Sequence, residues 1–177
     1  MLLVLMAVST GAWAIEQDSE GYYLISSVQD WQDFATIVVT TNDANARMTA
    51  DVDLGDDQTH IGSTTEGAAP QYAGIFDGQG HTLTIAYVGT GSQITAPFTH
   101  TNGATIKNLH VDGTIQATFA YMALVGLATS TTISNVWMSV DMKTTQSGWK
   151  QSSAFIGTTI GGTTITDCLF TGSIQVN

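Results

Sequence analysis

Asp77 and His81 stand four residues apart in "AGIFDGQGHTLTI" (73–85), a stretch that also holds three glycines. A carboxylate and an imidazole at that separation could serve as an acid–base pair. A glycine-rich turn uses the same residue types structurally: Asp caps the backbone and Gly supplies left-handed positions. No nucleophile stands at fixed spacing from either residue, so the turn is the expectation. A second acidic set, Asp51, Asp53, Asp56 and Asp57, crowds "DVDLGDD". Oxygen-rich clusters can hold calcium, but an EF-hand loop needs three alternating acidic residues, then Gly, and closes on Glu. Here Gly55 takes the place of the third acidic residue. Strand alternation would instead turn Asp51 and Asp53 to solvent around inward Val52 and Leu54. No cofactor is expected, and calcium at these four aspartates is the one resident metal candidate. His60, His81, His100 and His110 lie in separate repeats; His100 and His110 could approach across a coil, yet no partner ligand is fixed beside them.

Glycoside hydrolysis needs two carboxylates flanking one sugar bond. Asp112, Asp141 and Asp167 fall near equivalent strand regions of successive repeats and could stack on one face. Asp112 and Asp141 are equally ordinary outward positions of alternating strands. Aromatic residues make the stronger binding argument, because the apolar faces of sugar rings stack on exposed Trp or Tyr. In "NVWMSVDM", Val136 and Val140 facing inward would send Trp137 outward. Trp149 sits in the longest loop beside Gln146, Lys150 and Gln151, and Phe119 and Tyr121 occupy the equivalent loop one repeat earlier. Phe119, Tyr121, Trp137 and Trp149, with Gln151, form the candidate platform; folding of Phe119 and Tyr121 back over their own loop is the competing reading. Trp31 is expected to be buried.

These residues need a scaffold, and internal repetition supplies one. "AGIFDGQGHTLTI", "APFTHTNGATIKNL", "ALVGLATSTTISNV" and "AFIGTTIGGTTITDCL" begin at Ala73, Ala96, Ala123 and Ala154, with the interval lengthening at each step. A second anchor, Thr82, Thr105, Thr132 and Thr164, lengthens almost in unison with the first. Each unit then adds an apolar strand: "HVDGTI", "WMSVDM", "LFTGSI". Short strands recurring at such a period suit one coil of a parallel β-helix per repeat. One inward face would carry Ile75, Phe76, Phe98, Leu124, Val125, Phe155 and Ile156. A second would carry Leu83, Ile106, Ile133 and Ile165, and a third Ile115, Val140 and Ile174. Ahead of the coils, Val28, Trp31, Phe34, Ala35 and Val38 repeat at helical spacing, and Ser27 with Asp30 resembles a capping box. A helix over 28–39 is predicted to close the N-terminal end of the stack.

Composition restricts the partners. Net charge is −11 with four basic residues, Arg47, Lys107, Lys143 and Lys150, too few for the basic stripe that nucleic acid requires. Anionic polysaccharides are disfavoured for the same reason, and β-helix lyases that rely on Lys or Arg bases fit poorly. Leu2 to Val8 is an apolar run followed by Ala12-Trp13-Ala14, the pattern of a signal peptide over residues 1–14, too short to span a membrane. Met1 alone precedes the run, so the natural start is expected upstream. Lone Cys168 offers no intrachain disulfide. The chain stops at Asn177 directly after a strand, and further coils or domains are expected to follow.

The ordered motifs "YYLISSVQDWQDFA", "MTADVDLG", "HIG" and "YAGIFDGQGHTL" resemble the start of exported bacterial β-helix proteins of the Bacteroidota type with GLUG-like repeats. "MALVGLATSTTISNVWMSVDM" and "SAFIGTTIGGTTITDCLFTGSI" resemble the repeat itself, with its Asn or Cys positions at Asn108, Asn135 and Cys168. The resemblance implies a surface adhesin, or a glycan-binding part of a larger modular protein. The combined expectation is an all-β, right-handed parallel β-helix (solenoid) of about four short coils with an N-terminal capping α-helix. Residues 15–50 form the first strand and cap, and 51–177 the coils. The expected function is non-catalytic binding of neutral plant or host polysaccharide, such as xylan or another β-glycan, by a secreted or cell-surface protein. The alternatives are a β-helix glycoside hydrolase or lyase, and a protein-binding adhesin.

Overall fold

The computed structural model describes residues 15–65, 67–89, 94–118, 120–144 and 150–176, without the side chains of Ala120, Tyr121, Lys150 and Gln151. The chain is a parallel β-solenoid of about four turns with one helix near its N-terminus. The expected signal peptide lies outside the described residues. No helix among the described residues is long and apolar enough to cross a membrane.

The first strand, β1 (Tyr23–Ile25), leads into α1 (Val28–Thr40) and returns in parallel as β2 (Ala46–Met48). The rest of the first turn is β3 (Val52–Asp53). The next two turns hold β4 (Ile75–Asp77), β5 (Thr82–Gly89), β6 (Phe98–Asn102) and β7 (Thr105–Ala117). They are followed by β8 (Ala120–Met122), β9 (Val125–Thr129) and β10 (Thr132–Thr144). The last turn is β11 (Lys150–Ser152), β12 (Ile156–Ile160), β13 (Thr164–Thr166), β14 (Leu169–Phe170) and β15 (Ser173–Gln175). The largest sheet stacks β1, β2, β4, β7, β10 and β13 in that order, and its other half runs from β3 through β5, β7 and β10 to β14 and β15. β6, β9 and β12 form a second wall, and β8 pairs with β11 in a third.

Parallel register turns alternating apolar residues into columns. Ala46, Phe76, Ile106, Ile133 and Ile165 stack in one. Val52, Leu83, Val111, Met138 and Phe170 make the next, and Tyr87, Ile115, Met142 and Ile174 the third. On the second wall Phe98, Val125 and Ile156 align. Side chains of the interior turns are fully buried in these columns.

Two sequence expectations are corrected by this register. "AGIFDG" does not align with "APFTHT": Ile75, Phe76 and Asp77 pair with Thr105, Ile106 and Lys107. The first full coil is therefore longer than the interval from Ala73 to Ala96. The residue beneath Phe98 is Ile61 of "HIG", after which an excursion over 62–71 intervenes before the wall resumes at Tyr72. Ala followed by large apolar residues occurs at two different corners, and the sequence pattern merged them. Leu83 therefore belongs under Val111, and Met142, not Val140, is the partner of Ile115 and Ile174.

The helix forms where its caps and apolar stripe dictate. Ser27 accepts the Asp30 N–H through its hydroxyl, while Asp30 accepts from the Ser26 N–H and from both serine hydroxyls at 2.8 Å. The reciprocal cap thus reaches one residue further back than the usual box. Trp31, Phe34, Ile37 and Val38 are buried. Trp31 meets Phe76 and Phe98 edge-on at 5.8 and 6.0 Å, and Phe34 meets Tyr72 at 5.9 Å, so the helix closes the N-terminal end of the columns with aromatic rings. The Thr59 carbonyl accepts from both Trp31 Nε1 (3.0 Å) and the Tyr87 hydroxyl (2.6 Å), fastening the cap to the wall below.

Close contacts in the stack set the cost of substitution. Gly80 and Gly113 both have positive φ, but a Cβ at Gly80 meets open space while one at Gly113 would lie 2.0 Å from the Ile85 carbonyl oxygen. Gly80→Ala should cost about 1 kcal/mol and Gly113→Ala about 3 kcal/mol or more in urea unfolding. Burial also makes stability depend on pH through His60, whose ring lies 4.5 Å from that of Tyr87. Burial holds its pKa below the ordinary 6.5, against the opposing pull of the Ala96 carbonyl and Asp57. The unfolded chain then takes up a proton that the folded chain refuses, so this contribution is complete above pH 6.5 and declines as pH falls below it. The melting temperature should fall between about pH 7.5 and about pH 5.5, and fall less in His60→Gln.

Candidate functional site

Beyond the corner residues Asn108 and Asn135, alternation in β7 and β10 sends every second side chain to the outer surface, where the parallel register lines them up. One outer column is Thr82, His110, Trp137 and Leu169. Beside it the chain turns a corner in each coil. Asn108, Asn135 and Asp167 adopt left-handed backbone there, at φ 52, 52 and 54, which their short polar side chains tolerate. Asn135 Nδ2 donates to Asn108 Oδ1, and Asn108 Nδ2 donates to Asp77 Oδ1, each at 2.9 Å. Between this amide ladder and the His110–Trp137–Leu169 column lies an open groove of about 310 Å³ that runs across the coils.

Trp137 is 44% exposed, as its alternation predicted. Its indole lies flat on the His110 imidazole, 3.9 Å between centroids and 10° from parallel, and Nε1 donates to Thr171 Oγ1 at 2.7 Å. One side of the ring is therefore covered by His110, the next residue of the column on the other side is Leu169, and both Trp137 and Leu169 line the groove. Sequence alone missed His110 as the support of Trp137, because the stack depends on exact register between successive coils.

His110 also belongs to a polar chain. Its Nδ1 lies 3.1 Å from Thr82 Oγ1 and its Nε2 lies 2.8 Å from Ser139 Oγ, which in turn donates to Asp112 Oδ1 at 2.7 Å. A carboxylate only accepts, so the Ser139 proton points to Asp112 and its oxygen accepts from the His110 Nε2–H. Serine, histidine and aspartate are thus present in the wrong order for a nucleophile: the histidine does not receive the serine proton, and the aspartate does not orient the histidine. Donation by Ser139, joined by the Gly113 N–H, lowers the Asp112 pKa.

The three aspartates proposed to stack do not share a column. Asp112 lies beside Ser139, Asp141 sits between Thr114 and Ser173, and Asp167 occupies the corner after Asn135. Asp141 Oδ1 accepts from the Ser173 N–H and hydroxyl. A shift of register by a single position changes the column, and residue type near a strand end does not reveal it. Cys168 is likewise displaced from the Asn positions, which Asp167 continues.

The remaining candidates have structural partners. Asp77 accepts from the Gln79 N–H and Asn108 and pairs with Lys107 at 3.2 Å; burial opposes its charge, but these contacts lower its pKa overall. His81 points instead to Asp51, which also accepts the Thr82 N–H, so Asp77 and His81 do not pair with each other. Asp53 caps Gly55 and Asp57 caps Thr59 while accepting from Gln32, and Asp56 lies exposed between them. Among the described residues no three His, Cys, Asp or Glu converge as a metal site would require. His100 is buried against Ser63 and Gly67 on the second wall, separate from His110 on the main sheet. The backbones of Tyr121 and Gln151 are side by side in the β8–β11 ladder, away from the sheet that bears Trp137. Phe119 and Trp149 lie outside the described residues.

The ladder predicts its own test. Asn135→Ala should destabilise by about 1–2 kcal/mol in chemical unfolding, since alanine resists left-handed φ and leaves Asn108 without its donor. Asn135→Gly should cost less because it removes the backbone penalty. Compared with known proteins, the chain matches no family model, no curated protein and no solved structure.

Proposed function

We propose that this chain is a non-catalytic carbohydrate-binding module of an exported protein, taking a neutral polysaccharide such as xylan or another β-glycan. The observation that carries the reading is the groove in which half-exposed Trp137 faces the amides and carboxylate of Asn108, Asn135 and Asp167. Sugars offer apolar ring faces and hydroxyl rims, and this groove offers an indole on one side and polar groups on the other. The indole is held by His110 and Thr171, so little side-chain freedom is lost on binding. The chain's −11 charge favours a neutral glycan over an anionic one. The leader-like N-terminus and the resemblance to exported β-helix proteins support a secreted or cell-surface location within a larger modular protein.

Affinity electrophoresis through soluble xylan, mixed-linkage β-glucan, glucomannan and pectin tests the proposal. Retardation by a neutral glycan, weakened at least about tenfold by Trp137→Ala, is expected. Trp149→Ala measures whether that residue contributes. Migration unaffected by every glycan would refute the proposal. Release of new reducing ends, abolished in Asp141→Asn, would point to a β-helix glycosidase instead.

A further inference from the structure

We infer, building on the carbohydrate reading above, that the glycan runs along β10 from Trp137 to a second subsite formed by Gln116, Asp141 and Lys143. Past Trp137 the outer face of the main sheet continues in further columns. Thr114, Asp141 and Ser173 align in one, and Gln116, Lys143 and Gln175 in the next. These two columns line an open hollow of about 200 Å³. Trp137 and Lys143 stand on the same strand, about 20 Å apart along its axis, a span of several β-linked sugar rings. Between them Thr84, Asp112 and Ser139 are short, and Ser139 Oγ turns to Asp112 at 2.7 Å, so these side chains leave the path from the indole to Lys143 clear.

The polar groups of the hollow are unspent. Among the described residues Gln116, Lys143 and Gln175 make no side-chain hydrogen bond or ion pair, whereas Arg47 and Lys107, the other basic side chains described, are paired with carboxylates. Asp141 is held in place because its Oδ1 accepts from the Ser173 N–H and hydroxyl. Free donors thus stand beside a fixed acceptor, the combination that orients a hydroxyl-rich ligand. Outward side chains point at right angles to the stacking direction, so coils added at either end lengthen this face and do not cover it. One sugar chain that reaches both subsites makes the second contact intramolecular, and affinity then rises with chain length.

Nuclear magnetic resonance titration with xylobiose, xylohexaose, cellobiose and cellohexaose provides the test. A hexasaccharide is expected to bind at least about tenfold more tightly than its disaccharide. It should shift the Gln116 side-chain amide as well as the Trp137 indole N–H, while the disaccharide shifts the indole alone. Gln116→Ala and Lys143→Ala, both at exposed positions, should each weaken the hexasaccharide about threefold or more and leave the disaccharide unchanged. Trp137→Ala should weaken both. A hexasaccharide that depends on Trp137 but binds no more tightly than its disaccharide, or is indifferent to both distal substitutions, would overturn the inference and leave the carbohydrate reading standing. Failure of every sugar to bind would remove that reading and the inference with it.

Discussion

Parallel stacking at about 4.8 Å per coil places each side chain directly against its counterpart in the next turn, and every other feature follows from that constraint. An inward position must suit the residue above it and the residue below. The column Ile85, Gly113, Val140 and Gly172 shows the demand at its tightest, because large residues alternate there with glycines whose missing Cβ would strike a neighbouring carbonyl. The same constraint assembles the outer surface. Residues far apart in sequence become neighbours, which is how Trp137 finds His110 and Asn135 finds Asn108.

Legibility in the sequence tracks how local each signal is. The helix was readable because Ser27, Asp30 and the apolar stripe lie within a few turns of one another. Later coils were readable because two anchors repeat together, and the register pairs Thr105 with Thr132 and Thr164. The first coil was not, because the excursion over 62–71 separates Ile61 from Tyr72 and leaves "AGIF" resembling the wrong corner. The outward direction of Trp137 needed only period-two alternation. Its partner, and the separation of Asp112, Asp141 and Asp167 into three columns, needed register exact to one position, which a coil period of varying length does not specify.

The acidic residues show how composition and function separate. In a chain with four basic side chains, most carboxylates cannot be matched by cations. Several instead accept backbone N–H groups at turns: Asp18 at Tyr22, Asp53 at Gly55, Asp57 at Thr59 and Asp77 at Gln79. Carboxylates that read as metal or catalytic candidates are thus engaged in shaping corners. What remains for recognition is the groove where Trp137, the amide ladder and Asp167 meet.

Nuclear magnetic resonance with a soluble xylo-oligosaccharide tests that assignment most directly. On titration, the Trp137 indole N–H and the Asn135 side-chain amide should shift together, while the buried Trp31 indole N–H stays in place. Shifts confined to the β8–β11 ladder, or none at saturating sugar, would contradict the account.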